Sequence, residues 1–309
     1  MKKEILIAID GSIYSDQSLM YCSGLFAAQS DVHFHLCTWV TAGASIMPSA
    51  ADPKNSLIPS TRKQGNKESA AMSYLKKASE KLIRAGIAPE RISTSVQIAG
   101  YNIAAAIQHT AKSELLDSIL IGRRGLDGIS EMLMGSVSTT LFQKCHETPL
   151  WIIDGEVQSK NFLVPVDGSL NSMMAIDHLC HIFNQREDIH LSLFHCTTLF
   201  GKKPQHHPEL FHAKWGKEWC NTHLLGSDWL FNGPRQLLLE AGLSGSHIKI
   251  LPERTDLEEA HGIIREAKKQ HCGTIVMGRR GGEMTKGLFG GVSDRAIKNV
   301  QDLALWIVG

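Results

Sequence analysis

The sequence predicts an α/β protein made of two repeated, doubly wound, five-stranded parallel-sheet domains. Three observations carry this. Short apolar runs rich in branched residues alternate with helical segments, the pattern of strands joined by right-handed crossovers. Five sequence blocks recur in the same order at a nearly constant offset. The length of 309 residues suits about two domains.

IAIDGS (Ile7–Ser12) returns as VPVDGS (Val164–Ser169), and DVHFHL (Asp31–Leu36) as DIHLSL (Asp188–Leu193), each 157 residues later. AGIAPERI (Ala85–Ile92) returns as AGLSGSHI (Ala241–Ile248), and IGRRG (Ile121–Gly125) as MGRRG (Met277–Gly281), each after 156 residues. LWII (Leu150–Ile153) returns as LWIV (Leu305–Val308) after 155. A period this long lies far above the solenoid range. The chain is therefore read as two globular domains, residues 1–155 and 156–309.

In the first repeat, Ile5–Ile9 is a short branched run and reads as a strand, followed by a DGS turn and a helix over roughly Tyr14–Gln29. Val32–Val40 is the second strand. A helix spans Glu68–Arg84, with Gly86 placed as its C-terminal stop. Ile92–Ile98 is a strand, Ile103–Lys112 a helix capped by Asn102, and Ser118–Ile121 the fourth strand. Ser136–Lys144 is a helix and Leu150–Ile153 the fifth strand. The second repeat follows suit, with Asp256 and Glu259 forming a capping-box pattern before Ile263–Ala267.

Two inserts break the repeat. Residues 41–66, rich in Ser, Ala, Pro and Gly, show no period, and so long a loop is expected to be functional or disordered. The second insert, roughly 198–233, carries Trp215, Trp219 and Trp229 and is expected to be partly helical, with Pro234 in the first turn of the next helix.

Composition excludes several classes. The net charge is +1 and both halves are close to neutral, so neither attracts nucleic acid or an anionic membrane. No run of about eighteen apolar residues is present. The N-terminal apolar stretch is too short for a secretory signal. Seven cysteines, an odd number without a CxxC, point to a reducing cytoplasm.

The chemistry concentrates in IGRRGLDGISEMLMGSVS, Ile121–Ser138. It starts where the fourth strand ends and closes on Gly135-Ser136, where the next helix begins. Ligands of open α/β sheets bind at such strand exits. A helix N-terminus offers unpaired N–H groups and a positive dipole end, which together suit phosphate. Gly122 and Gly125 allow close backbone approach, Ser136 and Ser138 add hydroxyls, and Arg123 and Arg124 add charge. Asp10, at the exit of the first strand, can accept a hydrogen bond from a base or ribose. There is no GxxxxGK[ST], and the first turn reads DGS rather than GxGxxG.

The spacing G-x2-G-x9-G-S resembles the nucleotide motif of the universal stress protein family in its tandem form. The resemblance covers both repeats apart from the inserts. It implies five parallel strands in the order 3-2-1-4-5, with domains pairing through the fifth strand. This would make an intramolecular pseudo-dimer, with Leu150–Ile153 near Leu305–Val308, or a homodimer. It implies ATP as ligand, with or without Mg. Phosphates would lie on Gly122–Gly128 and on Ser136, Val137 and Ser138. Adenine would lie near Ala8, Asp10 and Trp39, a position where the family tends to have a smaller residue.

The second motif, MGRRGGEMTKGLFGGVSD, keeps Gly278, Gly281 and Gly291, but Val292 replaces the serine and Ser293 follows. Losing one hydrogen bond to a charged group costs about 1.5–3 kcal/mol, roughly ten- to a hundredfold in affinity. The second site, at Pro165, Asp167, Gly278, Arg279, Gly281, Gly291 and Ser293, is thus expected to be the weaker.

Other constellations carry less. His33, His35 and Cys37 share a strand face, and His206, His207 and His212 crowd the second insert; solvated or packed polar residues outweigh a metal site at both. No GxSxG elbow occurs and no cysteine has an evident base, so no catalytic residue is assigned. Asp127 and Glu131 within the motif allow at most slow ATP hydrolysis. The leading expectation is an ATP-binding stress-response regulator with an unnamed protein partner. A slow ATPase or phosphoryl or nucleotidyl transferase, and a nucleotide-free scaffold, are the alternatives.

Overall fold

A computed structural model describes residues 2–41, 59–100, 102–125, 134–199, 204, 207–279 and 291–309, with backbone alone at 59–64 and 66. The chain divides into two compact units, Met1–Thr148 and Pro149–Gly309.

The first unit runs β1 (Lys3–Ala8), α1 (Ile13–Phe26), β2 (Val32–Thr41), α2 (Pro59–Arg84), β3 (Ile92–Ala99), α3 (Ile103–Ser113), β4 (Ser118–Gly122) and α4 (Ser136–Lys144). The strands are parallel in the order β3-β2-β1-β4. Ile5, Leu6 and Ile7 are all fully buried, which is why the central strand reads as an unbroken apolar run. Gly86 takes φ +94° at the stop of α2, and the Asn102 side chain caps α3 by accepting from Ala105 N–H at 3.1 Å. Helix α2 starts at Pro59, inside the segment expected to lack structure, and proline suits that first helical position. Residues 42–58 of that segment lie outside the described residues.

The second unit begins with β5 (Leu150–Ile153), then β6 (Asn161–Pro165), α5 (Leu170–Ile182), β7 (His190–Phe194), β8 (Cys196–Thr198), α6 (His212–Trp215), α7 (Lys217–His223), α8 (Trp229–Glu240), β9 (Ile248–Ile250), β10 (Arg254–Asp256), α9 (Glu259–Lys269), β11 (Thr274–Gly278), α10 (Val292–Asn299) and β12 (Ala304–Val308). Its order β9-β7-β6-β11-β12 is parallel throughout and is the 3-2-1-4-5 arrangement of the second repeat. Strand β5 adds antiparallel to β12, with Trp151 opposite Trp306. The two indoles stack at 3.7 Å and 2°. Trp151 Nε1–H donates to His178 Nε2 at 3.1 Å, and Phe162 and Phe183 close the cluster on Trp306.

Two expectations for the second repeat fail. Asp256 and Glu259 form no capping box: Asp256 ends β10 and pairs with Arg265 at 2.8 Å, while Glu258 is the N-cap of α9. Pro234 lies inside α8, not in its first turn, because that helix already starts at Trp229. The N–H groups of Phe231 and Asn232 both bond to the Asp228 carbonyl and secure the turn ahead of the proline.

Both repeats tie the first strand to the second with a lysine and an aspartate, Lys3–Asp31 at 2.7 Å and Lys160–Asp188 at 2.5 Å. Hydrogen bonds from Arg186, at 2.6 and 2.8 Å, and then from Lys160 hold the Asp188 carboxyl well below its usual range. A depressed folded pKa stabilises above the unfolded value, about 4, and that stability fades as pH falls below it. Because Asp188 is half-exposed, Asp188→Asn should cost under about 1 kcal/mol at pH 7. Urea unfolding of the two proteins should converge as the pH drops below about 4.

Candidate functional site

The described residues of the first unit enclose a cavity of about 700 Å³ at the carboxyl ends of its strands. Ala8, Ile9 and Asp10 at the exit of β1 form one wall. The next turn is held by Ser12 N–H donating to Asp10 Oδ1 at 2.9 Å, while Ser12 Oγ caps α1 by accepting from Ser15 N–H at 3.3 Å. Gly11 sits at φ +80° with the Tyr74 ring packed on it, and an added Cβ would lie 2.8 Å from that ring. A second wall comes from the end of β2, where Thr38 Oγ1 donates to Ile9 O at 2.7 Å and the nearly buried Trp39 lines the space.

The third wall is the motif. Gly122, Arg124, Gly125 and Gly135–Ser138 all line the cavity. Gly135 N–H donates to Arg123 O at 2.9 Å and draws strand exit and helix entry together. Gly135 is the N-cap of α4, no side chain caps the helix, and its first turn holds no acidic residue. The N–H groups of that turn have no partner within the helix and face an anion-sized need. Ser136 is exposed at this end, whereas the Ser138 hydroxyl already donates to Gly122 O at 2.9 Å. Arg124 lies over the Tyr14 ring at 5.4 Å and donates to its hydroxyl at 3.3 Å.

The glycines serve packing first. None of Gly122, Gly125 and Gly135 has a positive φ. A Cβ on Gly122 would come within 2.7 Å of Tyr14 Cβ and 3.0 Å of its backbone, so the bare residue seats α1 on the end of β4. A Cβ on Gly125 would meet Asp10 Oδ2 at 2.7 Å. Arg123 does not line the cavity; it is 1% exposed and points into the interior. Gly128, Asp127 and Glu131 lie outside the described residues.

Sequence reasoning missed the fourth wall. Helix α2 contributes Lys67, Ala70, Ala71 and Tyr74, and α3 contributes Ile103 and Ile107. Lys67 joins Arg124 as a second cation, and Asp10 is the one carboxylate lining the cavity among the described residues.

In the second unit, Asp167 is exposed and accepts from the Ser169 hydroxyl at 2.6 Å. Gly278 is crowded, since a Cβ would lie 2.1 Å from Asn171 O. Pro165 ends β6, Arg279 is buried, and Gly281 lies outside the described residues. Gly291 is the N-cap of α10, and its N–H donates to Asp294 Oδ2 at 3.1 Å. Ser293 is buried in the first turn.

Several residues of the other constellations have polar partners. His35 Nδ1 meets Ser93 at 2.9 Å, Cys37 Sγ meets Ser95 at 3.2 Å, and His207 pairs with Glu209. His206 lies outside the described residues. All seven cysteines are free thiols. Burial pushes Cys37, Cys196 and Cys272 up to about 11 and Cys180 to about 12, so these thiols are poor nucleophiles at neutral pH. No helix among the described residues is long and apolar enough to cross a membrane.

Comparisons agree with this architecture. The chain is similar in fold to a universal stress protein from Archaeoglobus fulgidus DSM 4304, at 16% identity and a TM-score of 0.66, covering 99% of this chain and 97% of that one. It is also similar to a functionally unknown protein from Pseudomonas aeruginosa PAO1, at 13% identity and a TM-score of 0.54, covering 99% and 92%. No curated protein sequence matches the chain. The model of the universal stress protein family matches twice, over residues 1–153 and 158–301. With two matches spanning nearly its whole length, the chain belongs to the universal stress protein family and carries that domain in tandem.

Proposed function

We propose that the chain is a cytoplasmic, ATP-binding stress-response regulator whose nucleotide sits in the cavity of the first unit, with or without Mg. One observation carries the reading. The uncapped start of α4 opens onto a cavity of about 700 Å³ that also presents Arg124, Lys67 and Asp10. The helix end and the two cations suit a polyphosphate. Asp10 suits a ribose or base donor, and the apolar faces of Trp39, Val40 and Tyr74 suit a purine. The proposed domain boundary lies near residue 155, and the proposed assembly is an intramolecular pseudo-dimer or a homodimer.

Calorimetric titration of the full chain with ATP tests this. Arg124→Ala and Asp10→Ala should each weaken binding at least about tenfold, the effect of one charge-assisted hydrogen bond. Absence of ATP binding at about 1 mM would end the reading. Multiple-turnover phosphate release, lost in the same variants, would move it to the enzyme class.

A further inference from the structure

We infer that the second unit excludes nucleotide phosphates because its own carboxylates hold the corresponding place, with Asp294 as the deciding residue. The inference rests on the nucleotide reading of the first unit and concerns the difference between the two.

The repeat offset sets Asp294 opposite Ser138, Arg295 opposite Thr139, Glu258 opposite Asn102 and Glu259 opposite Ile103. The structure confirms the register, since Gly135 and Gly291 are both N-caps, as are Asn102 and Glu258. At α4 the Ser138 hydroxyl turns back to Gly122 O, leaving the helix end without an acid. At α10 the Asp294 carboxylate folds over the helix start and accepts Gly291 N–H at 3.1 Å. A negative charge thus already occupies the positive end of the helix dipole.

A second observation points the same way. A cleft of about 310 Å³ beside the starts of α9 and α10 is lined by Glu258, Glu259 and Arg295 with Thr198, Leu199 and Leu257. Its one cation among the described residues, Arg295, lies 3.2 Å from Glu258 Oε1. Where the described residues of the first cavity present Lys67 and Arg124, those of this cleft present two glutamates and an arginine paired with one of them. An approaching phosphate meets like charge and a helix start whose N-cap N–H is already taken by a carboxylate. Val292 accounts for one missing hydroxyl; Asp294 adds an opposing charge.

Asp294→Asn tests this, because asparagine retains a capping group and removes the charge. The wild-type full chain, titrated with ATP by calorimetry, should take up about one equivalent, and the variant about two. The double variant V292S/D294S, which rebuilds the Ser-x-Ser of the first unit, is titrated alongside in case the single variant fails to fold. A wild type that binds about two, or a folded variant without gain, overturns the inference. A wild type that binds none while the variant binds about one supports it and sinks the reading of the first unit instead.

Discussion

Trp306→Ala is expected to lower the unfolding free energy of the second unit by about 3–5 kcal/mol. The indole is fully buried, stacks on an equally buried Trp151, and meets Phe162, Phe183 and His178 at 5.5, 5.6 and 5.9 Å. Truncation leaves a cavity on the face of the sheet where the two indoles stack, and a packed interior closes such a space only in part. The same change strands the Trp151–His178 hydrogen bond beside the void. Guanidinium unfolding should show the midpoint falling for Trp306→Ala, and falling less for Trp306→Phe, which keeps most of the ring area. Equal losses in the two variants would argue that the stacked geometry contributes little.

The second large effect separates two glycines of one motif. Gly122→Ala should destabilise by about 1–3 kcal/mol, because its Cβ runs into Tyr14 and the backbone of α1. Gly135→Ala meets nothing closer than 3.4 Å among the described residues and should cost less, about 0.5–1 kcal/mol for a poorer N-cap residue. If both glycines served only to let a phosphate approach, the two variants would melt alike. Thermal melts without nucleotide read the distinction directly, since no ligand contributes.

The backbone of the fold was legible because its signals are local. Ser136–Lys144 and Leu150–Ile153 have the bounds the sequence suggested, and Asn102 and Gly86 act through neighbours within a few residues. What the sequence hid is tertiary. Tyr74 and Lys67 reach the cavity from a helix about fifty residues from the motif, and no spacing rule joins them to it. Arg123 and Arg124 are neighbours in the chain, yet consecutive residues leaving a strand face opposite ways, so one is buried and one lines the cavity. Pro234 misled because a proline is favoured at a helix start, while here earlier residues had already built the turn. Asp294 was readable in GVSD as an acid at the third helical position. Its reach back to the Gly291 N–H depends on the rotamer and the helix start, which the four letters do not specify.

Strand β5, the last strand of the first sequence repeat, pairs with β12, the last of the second, inside the second compact unit. Between separate molecules such a pair forms and breaks with concentration, and dilution dissolves it. Within one chain the partner is always present at an effective concentration set by the connecting polypeptide. Duplication thus makes this strand pair indifferent to how much protein the cell holds. It also frees each repeat to diverge without having to match a copy of itself, which is the condition under which one helix start can keep its serine while the other acquires an aspartate.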